Sequence, residues 1–502
     1  MAAAIVVLGT ASNVGKSWVC TALCRALARR GLKVRPFKAQ NMSNNASPAR
    51  RSDGSWGEIG RAQAAQAAAA GVEPHVDMNP ILLKPTGPMG SQVVLLGRAL
   101  GHMQAKAYWK EKAPWFSEVT AAYDRLAEDA DVVVLEGAGS PVELNLMTRD
   151  VVNLPMARHA IARARERGEF GGIFLVGDID RGGVFASLVG TVGLLPPEDR
   201  ALMAGLIVNR FRGDPALFST GPGLLEERSG VPVLGVLPYR RDIYIDDEDG
   251  PDATRFGGGE VDICVLRLPT VSNLTDLTSL AGVEGIGLRA AEVPEEVGNP
   301  DLLVIPGAKD TLSDLAWLRR QGLDRSVEAA AARGIPVLGL CGGYQMLGER
   351  LRDPEGVSGL AGDVPGLGLL PVETVFGREK RTLPVAGRSL GGWLLEEGAA
   401  VEGYEIRQGR SRVHGEPLLA TPEPEGCVKG SVAGTYLHGL LDQPEVLRGL
   451  VTALRRRKGL SGDWDPQGAV KAREAGFEAA ADVVDRHLAL EPILDRIAAR
   501  KR

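Results

Sequence analysis

The sequence predicts an α/β protein of two domains, each built on a mostly parallel β-sheet. Three observations lead to this prediction. Short apolar runs alternate with helical patterns along most of the chain, and one of them, residues 4–8, passes through a glycine loop into a helix. A second run, residues 336–340, meets a sharp turn at Cys341 before the next helix. An acidic and glycine-rich stretch at 246–259 lies between the two units.

Composition agrees with a globular protein and excludes several classes. A chain of 502 residues exceeds the size of one hydrophobic core, and its 44% hydrophobic and 24% charged residues are ordinary proportions. The net charge of −5 gives no overall basic field, so we expect no nucleic-acid partner. No apolar run is long enough to cross a membrane, and the first strand begins without a signal peptide. The five cysteines have no paired spacing, which favours a reducing, cytoplasmic location.

The domain boundaries follow from the acidic and glycine-rich stretch. We assign residues 1–245 to the first domain, 246–259 to a linker and 260–458 to the second domain. Residues 459–502 have the pattern of a C-terminal helical extension. The linker could also be read as an acidic metal site, but runs of this kind are more commonly solvated connections.

The glycine loop of the first domain is a candidate phosphate-binding loop. Gly9 and Gly15 enclose five residues, one more than the usual pattern allows. Lys16 can reach the outer phosphates of a nucleotide, and Ser17 can ligate Mg²⁺. The N-terminus of the following helix adds partial positive charge. A glycine-rich turn with a chance lysine is the alternative, but it does not explain why strand, loop and helix follow in this order.

The next elements are read from periodicity and turn residues. Residues 33–37 predict a second strand, and residues 58–70 and 101–128 predict helices, the second of them helical over most of its length. Residues 77–87 have turn chemistry around a short apolar run. Residues 40–53 are polar and rich in asparagine, so they form either a flexible loop or a binding segment for a polar ligand.

Later strands of the first domain end at polar residues. Glu136 follows the apolar run at 131–135, and Asn209 follows the run at 204–208. Asp178 ends another such strand. Ligands bind at the carboxyl edge of open parallel sheets, so these side chains are binding candidates. Glu136 in particular is a candidate Mg²⁺ ligand or water-orienting group.

The second domain contains a candidate nucleophile. Cys341 lies between a strand and a helix, and its small neighbours Gly339 and Gly343 permit a nucleophile elbow. The N–H of Gly342 can stabilise an oxyanion, and Gly307, in a glycine turn after another strand, is a second donor. His438 ends a later strand and is the candidate base. A buried structural cysteine with an unrelated histidine is the alternative. No strand delivers His414 to the cysteine, so we do not expect it to be the base.

Several segments together resemble the cobyric acid synthase family, in the family's order and over nearly the whole chain. The Cys341 and His438 segments are similar to its class I glutamine amidotransferase domain, which has a flavodoxin-like α/β fold. The first half also resembles dethiobiotin synthetase and its relatives, which share the longer phosphate loop. The first-half segments that carry the resemblance are residues 9–17, 37–43, 58–63, 77–85, 136–141 and 178–185.

The resemblance implies an ATP-dependent ligase of cobalamin biosynthesis with a P-loop-type first domain. Such enzymes amidate four peripheral carboxylates (b, d, e and g) of adenosylcobyrinic acid a,c-diamide and form adenosylcobyric acid, with glutamine as nitrogen donor. The implied cofactors are ATP and Mg²⁺, and the implied partners are glutamine and the corrinoid. A homodimer is left open.

The resemblance also assigns roles to individual residues. In the second domain, Cys341 and His438 would be catalytic, and Gly307 and Gly342 would form the oxyanion hole. The implied ATP ligands are Thr10, Asn13, Gly15, Lys16, Ser17 and Asn209. The implied metal ligands are Ser17, Asp53 and Glu136. The implied corrinoid ligands are Gln40, Asn41, Asn44, Asp180 and Arg181.

Two assignments and two other functions stay open. Many class I amidotransferases place a glutamate two residues after the catalytic histidine, but Leu440 occupies that position here, so the group that orients His438 is not assigned. The second Mg²⁺ carboxylate is either Asp53 or the nearby Glu58. The other functions are a related ligase for a different polycarboxylate, or a regulatory P-loop ATPase with an inactive amidotransferase-like domain.

Overall fold

The structure is a computed structural model, and it describes residues 2–85, 90–147, 150–240, 243, 245, 259–281, 283–358, 360–460 and 467–498. The linker predicted at 246–259 lies outside the described residues, except for Gly259. Within the described ranges, every helix is too short or too polar to cross a membrane.

The first half alternates strands and helices, as its apolar runs predict. Its strands are β1 (Ala3–Gly9), β2 (Val34–Phe37), β3 (Gln40–Met42), β4 (Ala46–Arg50), β5 (Trp56–Gly60), β6 (Ile81–Pro85), β7 (Gly90–Leu95), β8 (Arg98–Gln104), β9 (Val132–Glu136), β10 (Gly171–Asp178), β11 (Met203–Phe211) and β12 (Val233–Pro238). Its helices are α1 (Lys16–Arg29), α2 (Arg61–Ala69), α3 (Ala105–Glu128), α4 (Leu154–Arg165), α5 (Val184–Leu194), α6 (Pro197–Arg200) and α7 (Gly221–Ser229).

A parallel sheet with the strand order β12-β11-β10-β1-β9-β2 forms the centre of the first half. Every residue of β1 and β9 is buried, which explains why both strands read as unbroken apolar runs. Because the strands are parallel, their carboxyl ends bring Gly9, Glu136, Asp178 and Asn209 to one edge of the sheet. The phosphate loop therefore opens at the edge where ligands bind in such folds.

The second half has a second alternating region and a long antiparallel hairpin. Its strands are β13 (Val261–Leu266), β14 (Val271–Ser272), β15 (Ile286–Ala291), β16 (Leu302–Ile305), β17 (Gly307–Ala308), β18 (Val337–Leu340), β19 (Arg350–Asp353), β20 (Gly362–Pro365), β21 (Val372–Ser389), β22 (Ala400–Val413), β23 (Leu419–Ala420), β24 (Cys427–Lys429) and β25 (Val432–Thr435). Its helices are α8 (Thr278–Ala281), α9 (Pro294–Val297), α10 (Thr311–Arg320), α11 (Leu323–Ala332), α12 (Gly342–Leu347), α13 (Pro444–Arg457), α14 (Gln467–His487) and α15 (Glu491–Ala498).

The sheet of the second half has the strand order β15-β13-β16-β18-β25-β24 and is parallel except for β24. Strand β18 runs into Cys341, and its neighbours β16 and β25 run towards Gly307 and His438. The predicted nucleophile, oxyanion donor and base therefore lie at the ends of adjacent strands. The predicted fold class, two α/β units with mostly parallel sheets, is confirmed.

Some local predictions in the first half differ from the structure. Residues 101–104 belong to β8, so the helix predicted from residue 101 begins at Ala105. The helix predicted from Glu58 begins at Arg61, because Glu58 is paired in the β4–β5 hairpin. The asparagine-rich segment 40–53 contains β3 and β4 instead of being one loop.

The C-terminal helices return to the first half. Helix α14 packs against α1, and Phe477 is buried in the apolar cluster behind the first sheet. Arg25 of α1 forms ion pairs with Glu474 at 2.8 Å and with Glu478 at 2.7 Å. The predicted helical extension is thus part of the packing around the phosphate-loop helix.

Candidate active sites

The phosphate loop is held in shape by a residue from another strand. Gly15 has a φ of 93°, and a Cβ there would lie 2.2 Å from Nδ2 of Asn209. That same Nδ2 donates a hydrogen bond to the carbonyl oxygen of Val14 at 2.9 Å. Asn13 also has positive φ, at 57°. The loop therefore requires glycine at 15, and Asn209 supports the loop from its outer side.

Lys16 lies across the loop. Its Nζ donates to the carbonyl oxygens of Ala11 at 2.9 Å and Gly139 at 3.1 Å, so the ammonium group lies between the glycine loop and the segment after β9. The Thr10 N–H is used within the sheet, because it donates to the Val176 carbonyl at 3.0 Å. This placement puts a cation where the outer phosphates of a nucleotide would lie.

Glu136 is the centre of a buried polar cluster beside Ser17. The Ser17 hydroxyl donates to Oε1 at 2.8 Å, Lys38 Nζ donates to Oε1 at 2.9 Å, and Gln66 Nε2 donates to Oε2 at 2.6 Å. Burial alone would raise the pKa of Glu136, but Lys38 and these hydrogen bonds outweigh it and lower the pKa. Glu136 is therefore a carboxylate with both oxygens already oriented. Sequence reasoning missed Lys38 and Gln66 as its partners.

The two candidates for a second metal carboxylate lie elsewhere. Asp53 is at the surface, where it accepts hydrogen bonds from Ser55 and pairs with Arg98 at 3.2 Å. Glu58 is buried and pairs with Lys84 at 2.6 Å and with Lys380. Neither the Asp53 nor the Glu58 carboxylate contacts Ser17 or Glu136 in this structure. Within the described chain, no cluster of three or more His, Cys, Asp or Glu residues could hold a metal by itself.

The Cys341 turn has the geometry of a nucleophile elbow. Cys341 has φ 48° and ψ −104°, a strained combination for a residue with a side chain. A Cβ at Gly343 would lie 2.0 Å from the Ile305 carbonyl oxygen, so only glycine permits the close approach of α12 to β16. A Cβ at Gly342 would lie 2.6 Å from the Ala308 nitrogen, which places Gly342 against the strand that carries Gly307.

The residue that orients His438 is Asp276, which sequence reasoning missed. Nδ1 of His438 lies 2.6 Å from Oδ2 of Asp276, and the Gly439 N–H donates to Oδ1 at 3.1 Å. Burial alone would lower the pKa of His438, but Asp276 and a hydrogen bond with Cys341 outweigh it and raise the pKa well above its usual value. The three side chains form a Cys–His–Asp arrangement, the pattern of an activated nucleophile. Asp276 precedes the histidine by 162 residues, so no local spacing reveals it.

A cavity around Cys341 is lined by residues of both halves of the chain. Gln345 and Arg407 line it from the second half, and Asn44 and Lys84 line it from the first. Oδ1 of Asn44 is buried without a hydrogen-bond partner. The amide therefore has an unused acceptor beside the nucleophile.

Two kinds of comparison identify the family. A CobQ/CobB/MinD/ParA nucleotide binding domain matches residues 5–251, and a CobB/CobQ-like glutamine amidotransferase domain matches residues 262–446. Cobyric acid synthase from Desulforudis audaxviator (strain MP104C) is 46% identical over 504 residues and 97% of each chain. The chain belongs to the cobyric acid synthase family. The cobyric acid synthase of Sorangium cellulosum (strain So ce56) is 44% identical over 99% of each chain, and that of Moorella thermoacetica (strain ATCC 39073 / JCM 9320) is 43% identical over 98% of this chain and 96% of the relative.

The corrinoid ligands that the resemblance to the cobyric acid synthase family predicts lie in three places in the structure. Asp180 and Arg181 lie at the carboxyl edge of the first sheet, where Asp180 pairs with Arg212 at 2.8 Å and Arg181 is exposed. Gln40 and Asn41 lie on β3, and Nδ2 of Asn41 donates to Gln63 at 2.9 Å. Asn44 lies instead in the Cys341 cavity. The structure thus separates Asn44 from the Asp180 region.

Proposed function

We propose that the protein amidates the b, d, e and g carboxylates of adenosylcobyrinic acid a,c-diamide, forming adenosylcobyric acid with ATP and glutamine. The observation that carries this proposal is that one chain combines the Ser17–Glu136 phosphate site with the Cys341–His438–Asp276 site. A carboxylate is a poor electrophile and glutamine is a stable amide, so both need activation before nitrogen can be transferred. Each site supplies one of the two activations.

The second half would release ammonia from glutamine. The Cys341 thiol gives its proton to His438 as its sulfur attacks the amide carbon, and the N–H groups of Gly342 and Gly307 stabilise the oxyanion. His438 delivers a proton to the departing nitrogen, and ammonia leaves behind a thioester. His438 then takes a proton from water as the water attacks the thioester, which releases glutamate and restores Cys341. Asp276 holds the imidazole in place during both steps.

The first half would activate the corrinoid carboxylate. A carboxylate oxygen attacks the terminal phosphorus of ATP, which gives an acyl phosphate and ADP; ammonia then displaces inorganic phosphate and leaves the amide. Lys16 would contact the outer phosphates, and Asn209, which bonds the Val14 carbonyl, would keep the loop in its binding shape. Ser17 and Glu136 offer the oxygen ligands that Mg²⁺ prefers, and they would hold this ion next to the phosphates. Bound Mg²⁺ would neutralise charge that develops during phosphoryl transfer.

The contact between the halves supports a single coupled reaction. Glu58 accepts bonds from Lys84, which also belongs to the first half, and from Lys380 of the second half. Glu58 and Lys84 are buried, and the Lys380 side chain is 11% exposed. Burial raises the pKa of Glu58, but the two lysines outweigh it and lower the pKa to about 2. The carboxylate is therefore charged, and its ion pairs hold the two halves together beside the Cys341 cavity. We also propose a cytoplasmic location, because Cys341 and the other cysteines are free thiols.

The test is a substrate panel with purified protein, ATP, Mg²⁺ and glutamine. We expect adenosylcobyrinic acid a,c-diamide to lose its free peripheral carboxylates in successive amidations, each accompanied by ADP and glutamate. Mass spectrometry of the corrinoid follows the steps. Amidation of a different polycarboxylate, with the corrinoid left unchanged, would favour the related ligase instead. ATP hydrolysis without any glutamate release would favour the regulatory ATPase.

A further inference from the structure

Residues in contact with the imidazole of His438 reach across to the first half of the chain. Asn273 is the first of them. Its Nδ2 lies 3.2 Å from Nε2 and 3.4 Å from Nδ1 of His438, so the amide lies against both ring nitrogens. Its Oδ1 accepts a hydrogen bond from the N–H of Ala46 at 3.0 Å. Asn273 therefore connects the base of the second half to the backbone of β4.

Tyr404 makes the second connection to the same residue. Its ring stacks on the imidazole with centroids 5.3 Å apart and an interplanar angle of 29°. Its hydroxyl donates to the Ala46 carbonyl oxygen at 3.2 Å. Both polar backbone groups of Ala46 are thus bonded to side chains that contact His438. Ala46 and Tyr404 also share a small buried apolar cluster with Leu82 and Ile406, so the contact is well packed.

Helix α2 links the Tyr404 contact to the phosphate site. Arg61, the first residue of α2, donates to the Tyr404 hydroxyl at 3.3 Å and to Asp442 at 3.3 Å. Gln66, on the same helix, donates to Glu136 at 2.6 Å. A short rigid helix therefore touches the ring that stacks on His438 and the carboxylate beside Ser17.

We propose that the first half positions His438 through Ala46, with Asn273 and Tyr404 as positioning residues, so that glutamine hydrolysis is fastest when the first half holds its ligands. The inference rests on the proposed function, because it assigns ATP and the corrinoid to the first half. Strand β4 directly follows residues 40–45, which contain three of the predicted corrinoid ligands, and α2 contacts Glu136. Ligands at either place would therefore act on the elements that contact the base. A ligand that binds more tightly when β4 and α2 are packed against the His438 contacts shifts the protein towards that packed state. The difference in its binding free energy between the two states is the free energy by which it favours the aligned imidazole.

The test measures glutamate release in Tyr404→Phe and Asn273→Gly, with and without ATP, Mg²⁺ and corrinoid. Tyr404→Phe keeps the ring stack and removes the hydroxyl, together with its bonds to Ala46 and Arg61 of the first half. Asn273→Gly keeps the left-handed backbone, φ 51°, and removes the amide. In wild type, we expect the ligands to stimulate glutamate release about 10-fold, within the usual range of coupling between sites. In each variant, we expect most of that stimulation to disappear, with the KM for glutamine within about twofold of wild type.

Ammonium-dependent amidation separates positioning from structural damage. We expect both variants to amidate the corrinoid with ammonium chloride at the wild-type rate. Tyr123→Phe is the matched control, because it removes the same atom from a buried ring that packs edge to face with Phe37 in the first half. It should keep the full stimulation.

Three results would overturn the inference: an unstimulated wild type, full stimulation in both variants, or an equal loss of ammonium-dependent amidation and glutamate release. Failure of the proposed function would appear differently. In that case the wild type itself would not amidate the corrinoid with ammonium chloride, whatever the variants do.

Discussion

At the scale of single residues, the site depends on a carboxylate from an unexpected part of the chain. Leu440 stands where many class I amidotransferases have a glutamate, and Asp276 provides the carboxylate in space instead. The pair is buried, so the loss of one partner removes a charge-assisted hydrogen bond from the other in a site shielded from solvent. The sequence indicates that some group must orient His438, but the spacing of residues along the chain does not reveal that this group is Asp276.

We expect Asp276→Asn to lower the glutaminase kcat by about 100-fold, within the range of general acid–base contributions. Without the carboxylate, burial becomes the main effect on the imidazole, so the pKa of His438 should fall below its ordinary value of about 6.5. An NMR titration of the labelled imidazole measures this shift. Asp363→Asn, which removes an exposed carboxylate, is the control. An unchanged imidazole titration in Asp276→Asn would contradict the assignment.

The same pair predicts a pH dependence of stability. The folded-state pKa of His438 is raised above its unfolded value, so the pair contributes stability that is fully present below a pH of about 6.5. That contribution is lost as the pH rises through the folded-state pKa. We therefore expect the difference in Tm between wild type and Asp276→Asn to be larger in mildly acidic than in alkaline buffer. Calorimetry at several pH values measures it, and the opposite trend would contradict the charged pair.

Substitution of the two candidate histidines should give different losses. We expect His438→Ala to reduce glutamate release by ~10²–10⁴-fold, the usual contribution of a general acid–base group. His414→Ala should have little effect, because His414 is exposed and its backbone N–H pairs with Pro371. Steady-state glutaminase assays compare them, and the reverse ranking would show that the base is the other histidine.

At the scale of elements, the strands predicted most clearly from the sequence are those with unbroken apolar runs. Strands β1, β9, β10 and β18 are buried on both faces, so their sequences contain few polar residues and their type is clear. The hairpin of β21 and β22 was missed because many of its side chains are charged and exposed, which weakens the period-two pattern. The hairpin is stabilised by the pairing of β21 with β22, and the local sequence pattern of either strand does not indicate that pairing.

The packing of the C-terminal helix α14 against α1 is another feature that the sequence alone did not predict. Exposed ion pairs such as Arg25–Glu474 contribute at most about 1 kcal/mol each, so the buried contact of Phe477 is the larger effect. We expect Phe477→Ala to destabilise the first half by ~3–5 kcal/mol. Leu217→Ala, at a side chain that is 86% exposed, should change stability by less than about 0.5 kcal/mol. Thermal unfolding compares them, and equal midpoints would show that α14 does not stabilise the first half.

At the scale of the whole molecule, the halves meet at the site of chemistry. Asn44 illustrates what sequence could and could not predict. Its asparagine-rich segment was singled out for polar ligands, but the side chain lines the Cys341 cavity of the other half. Asn44 and Cys341 are 297 residues apart in the sequence, so their proximity depends on how the two halves pack together. Sequence motifs do not predict that packing.

The proposed function requires one chain to perform two separable activations of a single reaction. Corrinoid amidation is measured for Cys341→Ala and Lys16→Ala, each with glutamine and with ammonium chloride. Lys33→Ala, at an exposed lysine, is the control. We predict that Cys341→Ala loses amidation with glutamine and keeps it with ammonium chloride, whereas Lys16→Ala loses it with both nitrogen sources. Near-normal amidation by Lys16→Ala in ammonium chloride, or by Cys341→Ala with glutamine, would contradict this requirement.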